Sequence, residues 1–546
     1  MKLKRYFLFP LCTAIALIAV SAHAQADIDY AAIESLGIYD QANEKSLGTS
    51  LYQEANRSEL IYFMNAIPSS SWGALDHIYN DLLLTSADAN IINNDIPGSD
   101  LNNLLSVRLN VLIKRGLAAQ ANSLYSKLED VSQSESIARA GVLSFLFSGK
   151  KALACLDEKT LFPHFKDIDF WKDLDLFCTY THITDKAALA EVKEKAQSAV
   201  LKSIIESDTY KVTYAPEIFA ELSEFDRAIL TADKRILLDA EHMTSVSKLP
   251  PLDITSLLLQ DNISIENKAK LLSASVVAGI STKDDIITFY TQILEDKENK
   301  SDIAALAKLY DETKDSFLGL KRDEKIAQAF TLSQQYGEAL ILPFSPVLAK
   351  MTIGNDLSLD NAYRAALILI QNNQILPAHW AKDLERLVND KKNDNTKVYW
   401  LLLAVNSLHI SKDEDLDNNI NQALSMLINN NAHAAALKNI IENVDRTPVY
   451  SDKFRYVYEN DFDSAWNTRY IMPPAILMDA LRHSSENQNV GLSLLISAYI
   501  LGQIDANVIH ERNLSDITIA LQKTGLETLS RNILAQAILE AGYKGD

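Results

Sequence analysis

Two cysteines are the first residues whose chemistry can be weighed. Cys155 and Cys178 follow an amino-terminal apolar run that itself holds Cys12. A thiol pair can close a disulfide, ligate a metal or supply a nucleophile. Zinc ligation by two cysteines wants close spacing or a histidine pair, and neither is present. In an oxidising compartment two cysteines most often form one disulfide, with two buried thiols as the alternative. The ten histidines are scattered, as His409 and His433 illustrate, and a lone helical histidine is ordinarily a surface or satisfied core residue. The run "DEDLDNNINQAL" places Asp413, Asp415 and Asp417 at alternate positions, as a calcium loop begins. Its sixth position is Asn418 where glycine is required, and its twelfth is Leu424 where a bidentate glutamate is required, so it reads as a solvated turn. Adjacent acids such as Asp284 and Asp285 suit the positive end of a helix. The sequence contains no glycine-rich phosphate loop, no Gly-x-Ser-x-Gly elbow and no His-Glu-x-x-His zinc helix. Glu34–Ser35 and Glu206–Ser207 are bare dipeptides, outside the glycine- and tyrosine-rich surroundings of a lytic-transglycosylase catalytic domain. No catalytic residue, cofactor or metal is expected, and the chain reads as a non-enzyme.

Aromatic residues can do the work of binding instead. The stretch "DRTPVYSDKFRYVYENDFDSAWNTRYIMPP", residues 445–474, carries Tyr450, Phe454, Tyr456, Tyr458, Phe462, Trp466 and Tyr470, dense for a chain with 8% aromatics. Aromatic side chains supply interface hot spots and stack on sugars. The plainer reading is that they plug one helical segment against the next. Alternation in "FRYVYEN" allows a short strand or an extended flap, and Pro473 and Pro474 then open a new helix.

These residues must be positioned by helices. Glycine numbers 16 and proline 13 in 546 residues, well below their usual shares of about 7% and about 5%. Sheets and long loops need such turn residues, whereas helices joined by tight turns need few. Leu101, Leu105, Leu109 and Leu112 form one helical stripe, and Leu117, Ala121, Leu124, Tyr125 and Leu128 form a second after Gly116. A glycine between two amphipathic helices lets the chain turn through a left-handed conformation. The next such hinge is Gly149, 33 residues on, and another turn falls near Thr184 and Asp185. Further turns are expected at Gly279, near Asn373 with Pro377 opening the next helix, and at Gly525, whose following helix carries Leu526, Leu529, Ile533 and Ala537. The expectation is an all-α chain, an α-solenoid of antiparallel helical hairpins with a tetratricopeptide-like period of about 33–36 residues, although the strict consensus of that repeat is absent. The segments are 25–249 as an amino-terminal array, 250–444 as a middle array after Pro250 and Pro251, 445–474 as an irregular aromatic insertion, and 475–546 as carboxy-terminal hairpins.

Residues 1–24 stand apart from the fold. A basic start, "MKLKR", a short apolar run and "SAHA" with Ala22 and Ala24 make the three-part pattern of a signal peptide, with cleavage expected after Ala24. The apolar run is short for a membrane span, and Cys12 lacks the small preceding residue of a lipid-attachment site. Removing this segment takes away Lys2, Lys4 and Arg5 but no acid, so the net charge moves from −20 to −23. That balance argues against nucleic acid and anionic lipid as partners. No later stretch is apolar enough for membrane insertion, so the expected location is the periplasm.

The unit from Gly149 to Cys155, "FWKDLDLFC" with Cys178, "RYIMPPAILMDAL" and "LQKTGLETLSRNILAQAILEAG" together resemble a group of uncharacterised exported helical-repeat proteins of α-proteobacteria. The likeness spans nearly the whole chain after residue 24. It implies the helical-repeat fold and the Cys155–Cys178 pair, and it brings no activity. The expected function is a protein–protein interaction scaffold for another envelope protein. The alternatives are a peptidoglycan-binding module working through the 450–470 aromatics, and a lytic-transglycosylase-like superhelix without its catalytic domain.

Overall fold

Small polar residues open several of the helices and glycines close several. Asn103, Ser134, Asp185, Ser198, Ser264 and Asn489 each precede a helix and accept a hydrogen bond from a backbone N–H of its first turn. Each satisfies a donor that the helix cannot. Gly116, Gly149, Gly279 and Gly525 end helices with φ between 69° and 83°, and Asn373 does the same at 54°. The computed structural model describes residues 30–409 and 473–543, apart from residues 69, 97, 129–133, 239–245, 247, 297, 299, 315–321, 390–395, 505–508 and 510. The expected cleavage site at Ala24, the calcium-like run from Asp413, His433, and the aromatic residues Tyr450, Phe454, Tyr456, Tyr458, Phe462, Trp466 and Tyr470 lie outside the described residues.

The described chain is all-α. Helices α1 (Tyr30–Glu34), α2 (Arg57–Ala66) and α3 (Gly73–Leu84) lead into the hairpin of α4 (Leu104–Lys114) and α5 (Ala118–Tyr125) around Gly116. The hairpin of α6 (Glu135–Phe147) and α7 (Lys151–Phe165) follows around Gly149, then α8 (Asp169–Thr179), α9 (Lys186–Lys195), α10 (Ala199–Glu206), α11 (Pro216–Glu221) and α12 (Glu224–Ala232). Pro250 and Pro251 open α13 (Pro251–Leu258), and α14 (Ile265–Val277) and α15 (Lys283–Glu295) flank Gly279. Next come α16 (Asp302–Lys314), α17 (Arg322–Ser333), the short α18 (Ser345–Leu348), α19 (Leu359–Gln371), α20 (His379–Asn389) and α21 (Thr396–His409). The last four are α22 (Ala475–Glu486), α23 (Val490–Gly502), α24 (Glu511–Lys523) and α25 (Glu527–Tyr543). Two short strands, Val212–Thr213 and Ile236–Leu237, pair in parallel on either side of α11 and α12, a detail that the sequence reading did not anticipate.

Helices consecutive in sequence pack on one another from α4 through α8 and from α15 through α17. Leu105, Leu109 and Leu112 are fully buried, and so are Ala121 and Leu124 on the return helix. Leu101 departs from the expected stripe. It is 87% exposed because Asn103 caps α4, which begins only at Leu104.

The two ends of the described chain meet. Helix α23 packs on α2 and α3, and α25 packs on α3, α19 and α21. The apolar sequence of α23, "VGLSLLISAYILG", has no polar face, and almost all of it is buried, as a helix surrounded on all sides should be. The seam is pinned by hydrogen bonds between distant residues. Trp72 Nε1 donates to the Ile504 carbonyl at 2.9 Å, Gly491 N to Leu51 O at 3.0 Å, and Gln536 Nε2 to Ser71 O at 2.7 Å. Tyr363 donates to Leu539 O at 2.6 Å. One continuous hydrophobic core runs from Leu51 to Leu539.

Candidate functional site

The cysteines lie on α7 and α8, and the structure joins them. Cys155 and Cys178 form a disulfide with S–S 2.00 Å. The Gly149 turn starts α7, where Gly149 N and Lys150 N bond back to Leu146 O and Phe145 O. That turn leaves α7 with three distinct faces. Ala154 and Leu161 are buried toward the core, and α7 packs on α6 and α8. Lys151, Cys155 and Glu158 turn toward α8: the Lys151 ammonium lies 4.1 Å from the Phe177 ring centroid and bonds Asp233 at 2.8 Å. Burial, and then the charge of Asp175, pushes the Glu158 carboxyl up to about 7. The Tyr125 hydroxyl donates to Asp157 at 2.7 Å, and burial raises that carboxyl as well. The third face carries Ala152, Leu153 and Leu156 outward. Leu156 is 64% exposed and Leu153 44%, large apolar side chains that the described residues leave partly open on a helix that a covalent bond holds in place.

A cleft of about 410 Å³ opens at the amino-terminal end of α7. Three helix ends frame it: the Ser148–Gly149 turn, Lys234 after α12, and the Leu259–Asp261 turn after α13, with Lys268 of α14 alongside. The framing is tight because Gln260 is buried and ties two of these ends together. Its Oε1 accepts from Ile236 N at 3.0 Å and its Nε2 donates to Ser256 O at 2.7 Å. Lys234 bonds Asp261 at 2.6 Å. Lys268 forms no ion pair among the described residues, and its ammonium lies 5.9 Å from the Phe289 ring centroid. Such a cleft can receive a side chain or a short segment of a partner. The two hydroxyls of its lining donate to backbone, Ser148 to Phe145 O at 3.0 Å and Thr231 to Arg227 O at 2.8 Å.

Several charged side chains are buried elsewhere, in a closed polar junction beneath α1–α4. Arg57 grips Glu34 through two bonds of 2.5 and 2.8 Å, and Glu34 also accepts from Leu104 N. Arg108 is wholly buried and donates to the carbonyls of Leu83, Glu34, Leu36 and Thr85. Arg115 bonds Asp76 and Asn80 at 2.6 Å each and sits 4.6 Å from the Tyr79 ring centroid. Burial raises Asp76 against the opposing pull of Arg115. Burial also pushes His77 down to about 4, so its ring is neutral at pH 7. Glu34, Arg57 and Arg108 are committed to backbone and to one another, while Arg115 Nη1 and His77 Nε2 are buried without a hydrogen-bond partner among the described residues; the junction is a structural knot. Among the described residues no group of three histidine, cysteine or acidic side chains is placed to hold a metal.

The structure therefore brings Cys155 and Cys178 together as a sequence reading favoured. Asp284 and Asp285 sit in the first turn of α15, where Asp285 completes a capping box with Thr282. Glu34 of the first Glu-Ser pair is consumed by Arg57, and Glu206 of the second pairs with Lys193 at 2.8 Å. The exposed α7 face was missed. Its signal was present as "KALACLDEK", whose leucines stand three apart, but exposure depends on which neighbours arrive. In comparisons with known proteins, no family model, no curated protein and no solved structure matches the chain.

Proposed function

We propose that the chain is an exported, non-catalytic helical-repeat protein of the bacterial envelope, a member of the helical-repeat group it resembles, acting in the periplasm as a protein–protein interaction scaffold. The observation that carries this reading is the exposed Leu153–Leu156 face on a helix stapled by a disulfide. Exposed leucines held rigidly cost little further ordering on binding, which is the economy an interaction surface needs. The disulfide accords with an oxidising compartment, and no described helix is long and apolar enough to cross a membrane. The test is cross-linking in intact cells, affinity purification of the tagged chain and mass spectrometry of what accompanies it. A stoichiometric envelope protein is the expected outcome.

A second reading, binding of an envelope glycan such as peptidoglycan, is favoured by one surface feature. Tyr62 is 56% exposed, its ring lies 6.0 Å from that of Tyr499 across the α2–α23 seam, and their hydroxyls are 3.5 Å apart. An empty partner list with the chain trapped in the cell-wall fraction would sink the scaffold reading. Sedimentation with purified cell wall should then fall in Tyr62→Ala plus Tyr499→Ala, or in Tyr456→Ala plus Trp466→Ala, according to which aromatics do the binding.

A further inference from the structure

We infer that the outward face of α7 and the cleft at its amino-terminal end form one docking surface, and that its occupant is an acidic amphipathic helix of a partner protein. The inference rests on the scaffold reading and supplies the partner's chemistry. Two properties of the surface set that chemistry. The first is apolar: Leu153 and Leu156 are three residues apart on the open side of α7, and Leu153 follows Gly149 of the cleft by about one helical turn, roughly 6 Å. A helix laid beside them would meet them with apolar side chains at spacings of three and four.

The second is charge. The chain carries a net −20, yet Lys234 and Lys268 line the cleft against Asp261, and within two residues of its lining stand Lys150, Lys151, Arg235 and Lys270 against Asp233 and Glu266. Asp233 is shared by Lys151 and Arg235, and Asp261 is taken by Lys234. Lys268 has no ion pair among the described residues, and Lys150 rests on the side-chain oxygen of Asn122 at 3.2 Å. The apolar stripe thus ends in a local excess of positive charge on an acidic molecule. Complementarity then selects a partner with carboxylates at the end of its helix that reaches the cleft, and it repels basic helices. The rigidity needed for such selection comes from α6 on one side and the disulfide to α8 on the other.

The test places the photoreactive residue benzoylphenylalanine at position 156, or at the exposed Ile218 on α11 as a control, in the full-length chain in cells that export it. Irradiated adducts are digested and the attached peptide is sequenced. The expected result is an adduct from position 156 and none from 218. The attached peptide should carry several acids and apolar residues at spacings of three and four. Lys234→Glu plus Lys268→Glu should lower the yield by roughly fivefold or more, and Lys234→Arg plus Lys268→Arg should keep it. Far-ultraviolet circular dichroism of each variant checks that the fold is retained. A peptide without acids, a yield indifferent to charge reversal, or no adduct at 156 while a stoichiometric partner still co-purifies would overturn the docking surface and leave the scaffold reading standing. Loss of both the adduct and any co-purifying partner would remove the scaffold reading itself.

Discussion

A buried charge is tolerable only while its partner stays, and this protein buries several. Glu34 and Arg57 are nearly inaccessible and joined by two short bonds. Truncating Arg57→Ala leaves the Glu34 carboxylate without compensation in the core, which typically costs about 3–5 kcal/mol. Chemical denaturation should show that loss, whereas Glu34→Gln plus Arg57→Met should recover most of it, because the pair is then replaced and not orphaned. Titration at buried sites adds a pH dependence with two opposing arms. His77, at about 4 in the folded chain against 6.5 ordinarily, contributes stability that is present above 6.5 and lost as pH falls toward 4, since the unfolded state takes up the proton first. Glu158, at about 7 against 4.5, works the other way. Its protonated folded form stabilises below 4.5, and that advantage disappears as pH rises toward 7. Asp81, also near 7 through burial, follows the same sign. Glu158→Gln should therefore raise Tm at pH 8 and change it little at pH 4.5; equal shifts at the two pH values would show that Glu158 is not buried as described.

At the scale of the element, turns and staples carry the argument. Gly116 and Gly525 share a left-handed backbone, φ 76° and 83°, but not their surroundings. A methyl group on Gly525 meets nothing within 4 Å, while one on Gly116 would lie 2.5 Å from Thr255 Oγ1 and 2.7 Å from the Pro251 carbonyl. Gly525→Ala should thus cost only the conformational penalty of about 1–2 kcal/mol. Gly116→Ala should cost about 1–3 kcal/mol more, because α13 must yield; comparable melting temperatures for the two variants would contradict this packing. The disulfide closes a loop of about 24 residues, and loop entropy assigns it about 3 kcal/mol. Alkylation before reduction should label neither cysteine, and Cys155→Ser plus Cys178→Ser should lower stability by that order. These hairpins were legible in the sequence because their signals are local. The period of buried leucines, a glycine or asparagine able to take positive φ, and a capping side chain all act within a few residues. Leu101 was misplaced for the same reason, since the leucine spacing extends past the Asn103 cap where the helix does not. The strand pair and the grip of Arg108 on four carbonyls were not legible, because neither depends on neighbours in the chain.

The closure of the molecule belongs to no single element. An array in which each hairpin touched only its neighbours would unfold piecewise and confine any damage to adjacent units. Here α23 and α25 pack on α2 and α3, which precede them by more than 400 residues, so the ends should share one fate. No periodicity records such a contact. What the sequence did display was its precondition, a helix, "VGLSLLISAYILG", too apolar on every side to sit at the exposed end of an array. Gly491 offers a direct test. Its N–H bonds the Leu51 carbonyl at 3.0 Å, and a methyl group in its place would stand 2.2 Å from that same oxygen. Gly491→Ala must therefore break the bond and part the seam, at a cost of about 2–4 kcal/mol from overpacking and an unsatisfied carbonyl. Hydrogen exchange of the full chain reads where that cost is felt. If the ends form one cooperative unit, amides in α2 and α3 lose protection together with those in α23 and α25. If protection falls in α23 alone and the amino-terminal helices stay as slow as before, the two ends are independent, and the continuous core reduces to neighbouring units that touch without supporting one another.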